Sequence, residues 1–347
     1  MTRSKKWAWL VAMIAALALV VAGCGGDDDS SSGDATDTTA AIPTTAEAGT
    51  FQMGIEPWLG YGLWRVAEDK DLFAANGVDA KITNFNTDDE INAALASKKL
   101  DGANIATHTA MRLAAAGLPI TIVLLLDQST TADAILAPSS VATVADLKGK
   151  KIAYEEGTTS DILLRYALSE NGLTIDDVTK VPTPASDAGV AALAKRVDVA
   201  VTYEPYLTTA LQKDSTWKLL FTAGENPGLI SDVFVVRNEV LEERPGQVLA
   251  LIKSWQSAYD EYQKDPTAAQ AIIETSVGAK PGDLKTAFDG VKFYNLAENA
   301  TEIVPGGTYF DTTLADVKTF ATEAGLIEGD IDAQGLVNPA FVQAANK

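Results

Sequence analysis

Residues 148–168, K-G-K-K-I-A-Y-E-E-G-T-T-S-D-I-L-L-R-Y-A-L, narrow the choice of fold more than any other stretch of the chain. Lys151–Tyr154 reads as a short strand, Glu156-Gly157 as a tight turn, and Thr158 to Ser160 as the capped start of a helix. Hydroxyl side chains are preferred at such a start because their oxygen accepts a backbone N–H that the first helical turn leaves unpaired. Ile162, Leu163, Tyr166 and Ala167 then recur at helical spacing and form one apolar face. A strand that runs through glycine into a capped helix is the repeating unit of an α/β chain. Its turn also aims N–H groups outward at the positive end of the helix dipole, a socket for a small polar or anionic group. The plain alternative is an ordinary β–α turn.

The same alternation fills the chain beyond residue 50. Strands are read at residues 51–55, 78–85, 103–106 and 120–126, with helices at 59–73, 88–100 and 107–116. The last of these strands is a continuous apolar run, as expected of a strand covered on both faces. A second unit begins near Val141, with strands at 151–154, 178–181, 197–202 and 217–221 and helices after them. Residues 133–137 and 232–237 share a pattern, an acid followed by apolar residues, and read as paired antiparallel crossovers between the units. After Pro245 the chain reads as helical at 246–263, 266–276, 281–288, 311–324 and 339–346. Proline at or just inside a start suits helix entry. This length predicts two domains: residues 51–137 with 238–347 as one lobe, and 138–237 as the other.

The N-terminus reads as targeting rather than fold. Arg3, Lys5 and Lys6 precede an apolar run at residues 7–22, too short and too near the terminus for an ordinary membrane span. Val21-Ala22-Gly23-Cys24 closes it with small residues before the one cysteine, an order that resembles the lipobox of bacterial lipoproteins. Residues 1–23 are thus expected to be cleaved, Cys24 to carry lipid, and residues 24–50, rich in Gly, Asp, Ser and Thr, to form a disordered tether. A single cysteine excludes an internal disulfide and a thiolate metal site. A single histidine, His108, argues against zinc hydrolases and histidine-based triads. No catalytic set, metal or cofactor is therefore expected. The formal charge of −20 disfavours nucleic acid and direct adhesion to anionic lipid.

Five motifs carry a resemblance: P-W-L-G-Y-G-L at 57–63, A-D-L-K-G-K-K-I-A at 145–153, E-G-T-T-S at 156–160, V-D-V-A-V-T-Y-E-P-Y at 197–206, and G-L-I-S-D-V-F-V-V-R at 228–237. Together they resemble the nitrate/sulfonate/taurine-binding family of ABC-importer solute-binding proteins (NMT1/THI5-like), which also includes binders of thiamine-pyrimidine precursors. The chain departs from that family at Ala194-Lys195-Arg196, where a turn glycine is usual. The resemblance implies a type II periplasmic-binding-protein fold, with two α/β lobes, two crossovers and a cleft between. It also implies a monomer held to the membrane by its lipid, which closes on a small solute and delivers it to a permease and its ATPase.

Ligands of open α/β sheets sit outside the carboxyl ends of the strands. That rule selects Trp58 and Tyr61 after the first strand, and Thr107 and His108 after the third. It selects Asp127 and Gln128 at the end of the long apolar run, with Asp133 following. Gly157, Thr158, Thr159 and Ser160 form the socket already described. Tyr203 and Glu204 precede Pro205, and Asp232 stands at the return crossover. Each has a plain alternative in packing, capping or hinge hydrogen bonding. A carboxylate at Asp161 would repel an anion in the socket, so it should point away or the ligand is not a bare anion. Helix N–H groups and hydroxyls beside several carboxylates suit an aminosulfonate such as taurine. Nitrate fits less well, and an aminopyrimidine or cationic amine is the main competitor. An enzyme and a ligand-sensing lipoprotein are the other classes weighed.

Overall fold

Alternating apolar runs and amphipathic stretches build two separate sheets in the computed structural model, which describes residues 41–347. The expected signal peptide, Cys24 and most of the expected tether lie outside the described residues. The chain first lays down β1 (Thr50–Ile55), α1 (Gly62–Asp69), α2 (Leu72–Ala75), β2 (Asp79–Asn84), α3 (Asp88–Ala96), β3 (Gly102–Ala106), α4 (Thr107–Ala115) and β4 (Ile120–Ser129). It then crosses and forms β5 (Asp133–Pro138), β6 (Lys151–Tyr154), α5 (Thr159–Glu170), β7 (Thr179–Pro182), α6 (Ala185–Leu193), β8 (Val199–Tyr203), α7 (Tyr206–Lys213) and β9 (Trp217–Thr222). It returns as β10 (Ser231–Arg237), α8 (Asn238–Glu243), α9 (Pro245–Lys264), α10 (Pro266–Ser276), β11 (Val291–Phe293), α11 (Leu296–Glu302), α12 (Leu314–Glu323) and α13 (Ala340–Ala345).

The first sheet runs β11-β4-β10-β3-β1-β2 and the second β7-β6-β8-β5-β9. β1 pairs in parallel with β2 and β3, and β6 in parallel with β7 and β8. Each sheet also takes in an antiparallel strand between parallel ones, β10 between β3 and β4 and β5 between β8 and β9, and β11 adds a second at the edge of the first sheet. β5 and β10 are the two segments read as crossovers, but their sheet membership reverses the expected lobe boundaries. Residues 133–138 pair in the second sheet and 231–237 in the first. The crossing itself occupies residues 130–132 and 223–230, just ahead of each strand. An apolar strand pattern shows that a segment pairs, not with which sheet.

The C-terminal helices pack on the first sheet. Trp255 of α9 and Trp64 of α1 are fully buried, 4.9 Å apart between ring centroids, and Phe234 of β10 lies 5.4 Å from Trp64. Burying side chains of this size stabilises by roughly 1.5–3 kcal/mol each. Two further readings need correction. Residues 281–288 are not an α-helix: Gly282 sits at φ 93°, and Glu274 accepts the Gly282 and Leu284 N–H groups at 2.6 and 2.7 Å. That anchors a loop, which leads through a 3-10 turn at Ala287–Gly290 into the unanticipated β11. The tether does not reach residue 50. The Glu47 carboxylate accepts from the N–H groups of Gly246 and Gln247 at 3.1 and 2.9 Å, at the N-terminus of α9. There it satisfies donors the helix leaves unpaired. Among the described residues no helix is long and apolar enough to cross a membrane.

Candidate ligand-binding site

Strand direction gathers the site. β1, β3, β6 and β8 end facing one gap, and antiparallel β5 and β10 begin there. The gap holds a cavity of about 380 Å³ of atom-free space. Glu56 directly follows β1 and Glu155 directly follows β6, while Tyr203 ends β8 and Ala106 ends β3. Asp133 opens β5, Asp232 is second in β10, and Asp88 opens α3. Trp58, Tyr61, Thr158 and Thr159 complete the lining.

The aromatic side is held from behind. Trp58 stands in extended conformation ahead of the 3-10 turn Leu59–Tyr61, and its indole Nε1 donates to Asp127 Oδ1 at 3.1 Å. Tyr61 donates its hydroxyl to Asp232 Oδ1 at 3.0 Å. Asp127 and Asp232 are register partners on β4 and β10, so one cross-strand pair of acids fixes both rings. Gly60 is needed for this approach, since a Cβ there would lie 2.2 Å from Asp127 Oδ2 and from Trp58 Nε1. Opposite, Tyr203 meets Trp58 edge to face, 5.7 Å between centroids at 83°, and donates its hydroxyl to Glu56 Oε2 at 3.4 Å.

The lining is acidic. Five carboxylates and no lysine or arginine face the cavity. Burial, then the charges of Asp88 and Glu155, push the Glu56 carboxyl well above its usual range. Burial and Glu155 raise Asp88 to about 7. Burial raises Asp133 to about 7, Asp232 to about 6, and Glu155 upward as well. Glu56 Oε1 is buried without a hydrogen-bond partner. Burial makes these acids hold protons in the gap, and a cation that enters would favour their ionised form. Among the described residues no group of three or more His, Cys, Asp or Glu is arranged to hold a metal ion.

Of the residues expected from the sequence, Trp58, Tyr61, Asp133, Thr158, Thr159, Tyr203 and Asp232 line the cavity. The others support it or face elsewhere. Thr107 bonds to Ser231 Oγ at 2.9 Å and to the Tyr309 hydroxyl at 3.0 Å. His108 is buried against the Gly157 carbonyl at 3.4 Å, and burial followed by Arg112 holds its pKa down at about 4. Asp127 backs Trp58. Gln128 accepts from the Tyr294 hydroxyl at 3.0 Å, away from the cavity. Ser160 is buried, and its N–H goes to Thr158 Oγ1 at 3.2 Å. Glu204 turns onto α7, where it accepts from the Thr208 N–H at 3.0 Å and hydroxyl at 2.8 Å.

The anion socket at Gly157 is filled from within. Gly157, at φ 76°, donates its N–H to Asp161 Oδ2 at 2.9 Å, and Arg165 Nε donates to Asp161 Oδ1 at 2.7 Å. Of the two alternatives for Asp161, it does not point away: it turns back onto the Gly157 N–H. Sequence reasoning missed Glu56, Asp88 and Glu155. For Glu56 and Glu155 the signal was present, because each is the first residue past a parallel strand.

The NMT1/THI5-like family model matches residues 63–269. A Brucella abortus protein described as a binding protein is 28% identical over 237 residues, 67% of this chain and 72% of its own. The taurine-binding periplasmic protein of Escherichia coli K12 is 26% identical over 292 residues, 80% of this chain and 89% of its own. The alkanesulfonate-binding protein of Xanthomonas axonopodis pv. citri, solved with MOPS bound, superposes with a TM-score of 0.68 at 19% identity, covering 86% of this chain and 100% of its own. The family match spans more than half of the sequence and the superposition covers most of the chain: this chain belongs to the NMT1/THI5-like family and has the fold of the periplasmic solute-binding proteins it superposes on.

Proposed function

We propose that the protein is the extracytoplasmic solute-binding component of an ABC importer, and that its solute carries a positive charge. The one observation that carries the charge assignment is the lining: five carboxylates and three aromatic rings, with no lysine or arginine. A sulfonate or nitrate would meet carboxylates on most sides, and the Gly157 N–H of the turn that would receive it is already taken by Asp161. Of the ligands considered from the sequence, the cationic amine therefore fits better than taurine. The two sheets act as lobes that close by bending at residues 130–132 and 223–230, and closure excludes water from the gap. The closed form docks on a permease driven by an ATPase. Lipid on Cys24 keeps the protein at the outer face of the membrane.

A thermal-shift series tests the charge assignment. Small organic ammonium chlorides are expected to raise the melting point, while sodium salts of taurine, methanesulfonate and nitrate leave it unmoved. Stabilisation by the sulfonates with none by the cations would refute it.

A further inference from the structure

We infer that the solute is a compact planar cation with N–H donors around its rim, of the guanidinium class, its edge against Glu56, Asp88 and Glu155 and its face against Trp58 or Tyr203. This rests on the cationic reading above and narrows it. The gap is small: about 380 Å³ of non-atom space, open solvent included, leaves no room for a long stem. One lining oxygen still lacks a donor, and acids reach in around it from several sides. Glu56 Oε1 is buried with no partner, and the carboxylates approach from β1, α3 and β6, on both sheets. A buried acceptor left unpaired costs about 1–3 kcal/mol.

A quaternary ammonium ion brings charge but no N–H group, so it would leave those oxygens unpaired. A primary ammonium collects its donors at one end and presents a hydrocarbon stem to the remaining carboxylates. A guanidinium distributes donors around a plane, matches carboxylates in bidentate fashion, and keeps two faces free for aromatic rings. Trp58 and Tyr203, 5.7 Å apart and nearly perpendicular, offer one ring face with the other ring closing its side.

Isothermal titration calorimetry of the purified protein would compare guanidinium chloride at non-denaturing concentrations with methylguanidinium, tetramethylammonium and butylammonium chlorides and with taurine. Guanidinium is expected to bind at least about a hundredfold more tightly than tetramethylammonium, the equivalent of two lost charge-assisted hydrogen bonds. Glu56→Gln should weaken guanidinium binding about ten- to a hundredfold, with the far-UV circular dichroism spectrum unchanged. Tetramethylammonium or butylammonium binding as tightly as guanidinium would overturn the guanidinium class and leave the cationic reading standing. Taurine binding with no cation binding would overturn both. Absence of any guanidinium heat or melting-point shift in the wild-type protein would also overturn the inference.

Discussion

Replacing Asp133 by Asn should make the ligand-free protein more stable at alkaline pH, although it removes a charged group from the binding site. Asp133 is 3% exposed, and its carboxyl is raised from 3.8 to about 7, first by burial and then by Asp232 and Glu204, against the hydrogen bonds of Ser129 and Thr159. Between the unfolded and folded values the folded chain keeps a proton that the unfolded chain has released. Stability must therefore fall as pH rises through that window, and the penalty is complete above the folded value. A shift of about three units is worth roughly 4 kcal/mol at the alkaline limit. About 2 kcal/mol of it returns on acidifying from about pH 8 to about pH 5.5. For a protein of this size that corresponds to a melting point higher by about 3 °C at the acidic end.

The surface acids of this strongly anionic chain also relax on acidification, so the slope alone does not isolate the cavity. The difference between wild type and Asp133→Asn does. Scanning calorimetry across this range should show the variant above wild type at the alkaline end and converging with it at the acidic end. A bound cation should flatten the wild-type curve in the same way, because it supplies the missing counter-charge. A variant that melts below wild type at about pH 8 would refute the linkage reasoning.

Glu204→Ala should cost about 1–2 kcal/mol through the lost bonds to Thr208 on α7, while solute affinity stays at the wild-type value. Chemical denaturation and calorimetry read the two separately, and a large affinity loss would place Glu204 in the site. Asp161→Ala should free the Gly157 N–H and the Arg165 guanidinium together. Methanesulfonate, inert toward wild type, is then expected to raise the variant's melting point. No gain of anion binding would mean that Asp161 is not what closes the socket.

How far the sequence disclosed the site depends on direction rather than position. Trp58 and Tyr203 were legible because an aromatic at the end of an apolar strand has few other uses in such a sheet. Glu204 occupies a legible position too, but its carboxylate had a nearer donor in Thr208. Local capping and distant ligand contact look the same in one dimension. Asp88 looked like an acid in the first turn of a helix, which it is, and nothing local shows that α3 starts at the rim of the cavity. The pairing of Asp127 with Asp232 arises only once β10 inserts beside β4, a choice of partner that the strand pattern does not encode. The same lack misplaced both lobe boundaries.

Motif resemblance and site chemistry point in different directions here, and the geometry says why. The motif E-G-T-T-S does build the expected turn: Gly157 has the left-handed backbone that the turn requires, and Thr158 accepts the Ser160 N–H as a cap. What the motif leaves open is the occupant. The next residue, Asp161, folds back to accept the Gly157 N–H and is itself neutralised by Arg165, so a guest anion has a resident carboxylate to displace. Glu56 and Asp88 across the gap, with Glu155 on the motif's own side, invert the sign of the surroundings. A backbone frame of this kind tolerates either sign of ligand, because strand ends position whatever side chain follows them. Sign is then set by a handful of residues just past the strands, and a fold-level likeness to sulfonate binders carries little weight against them.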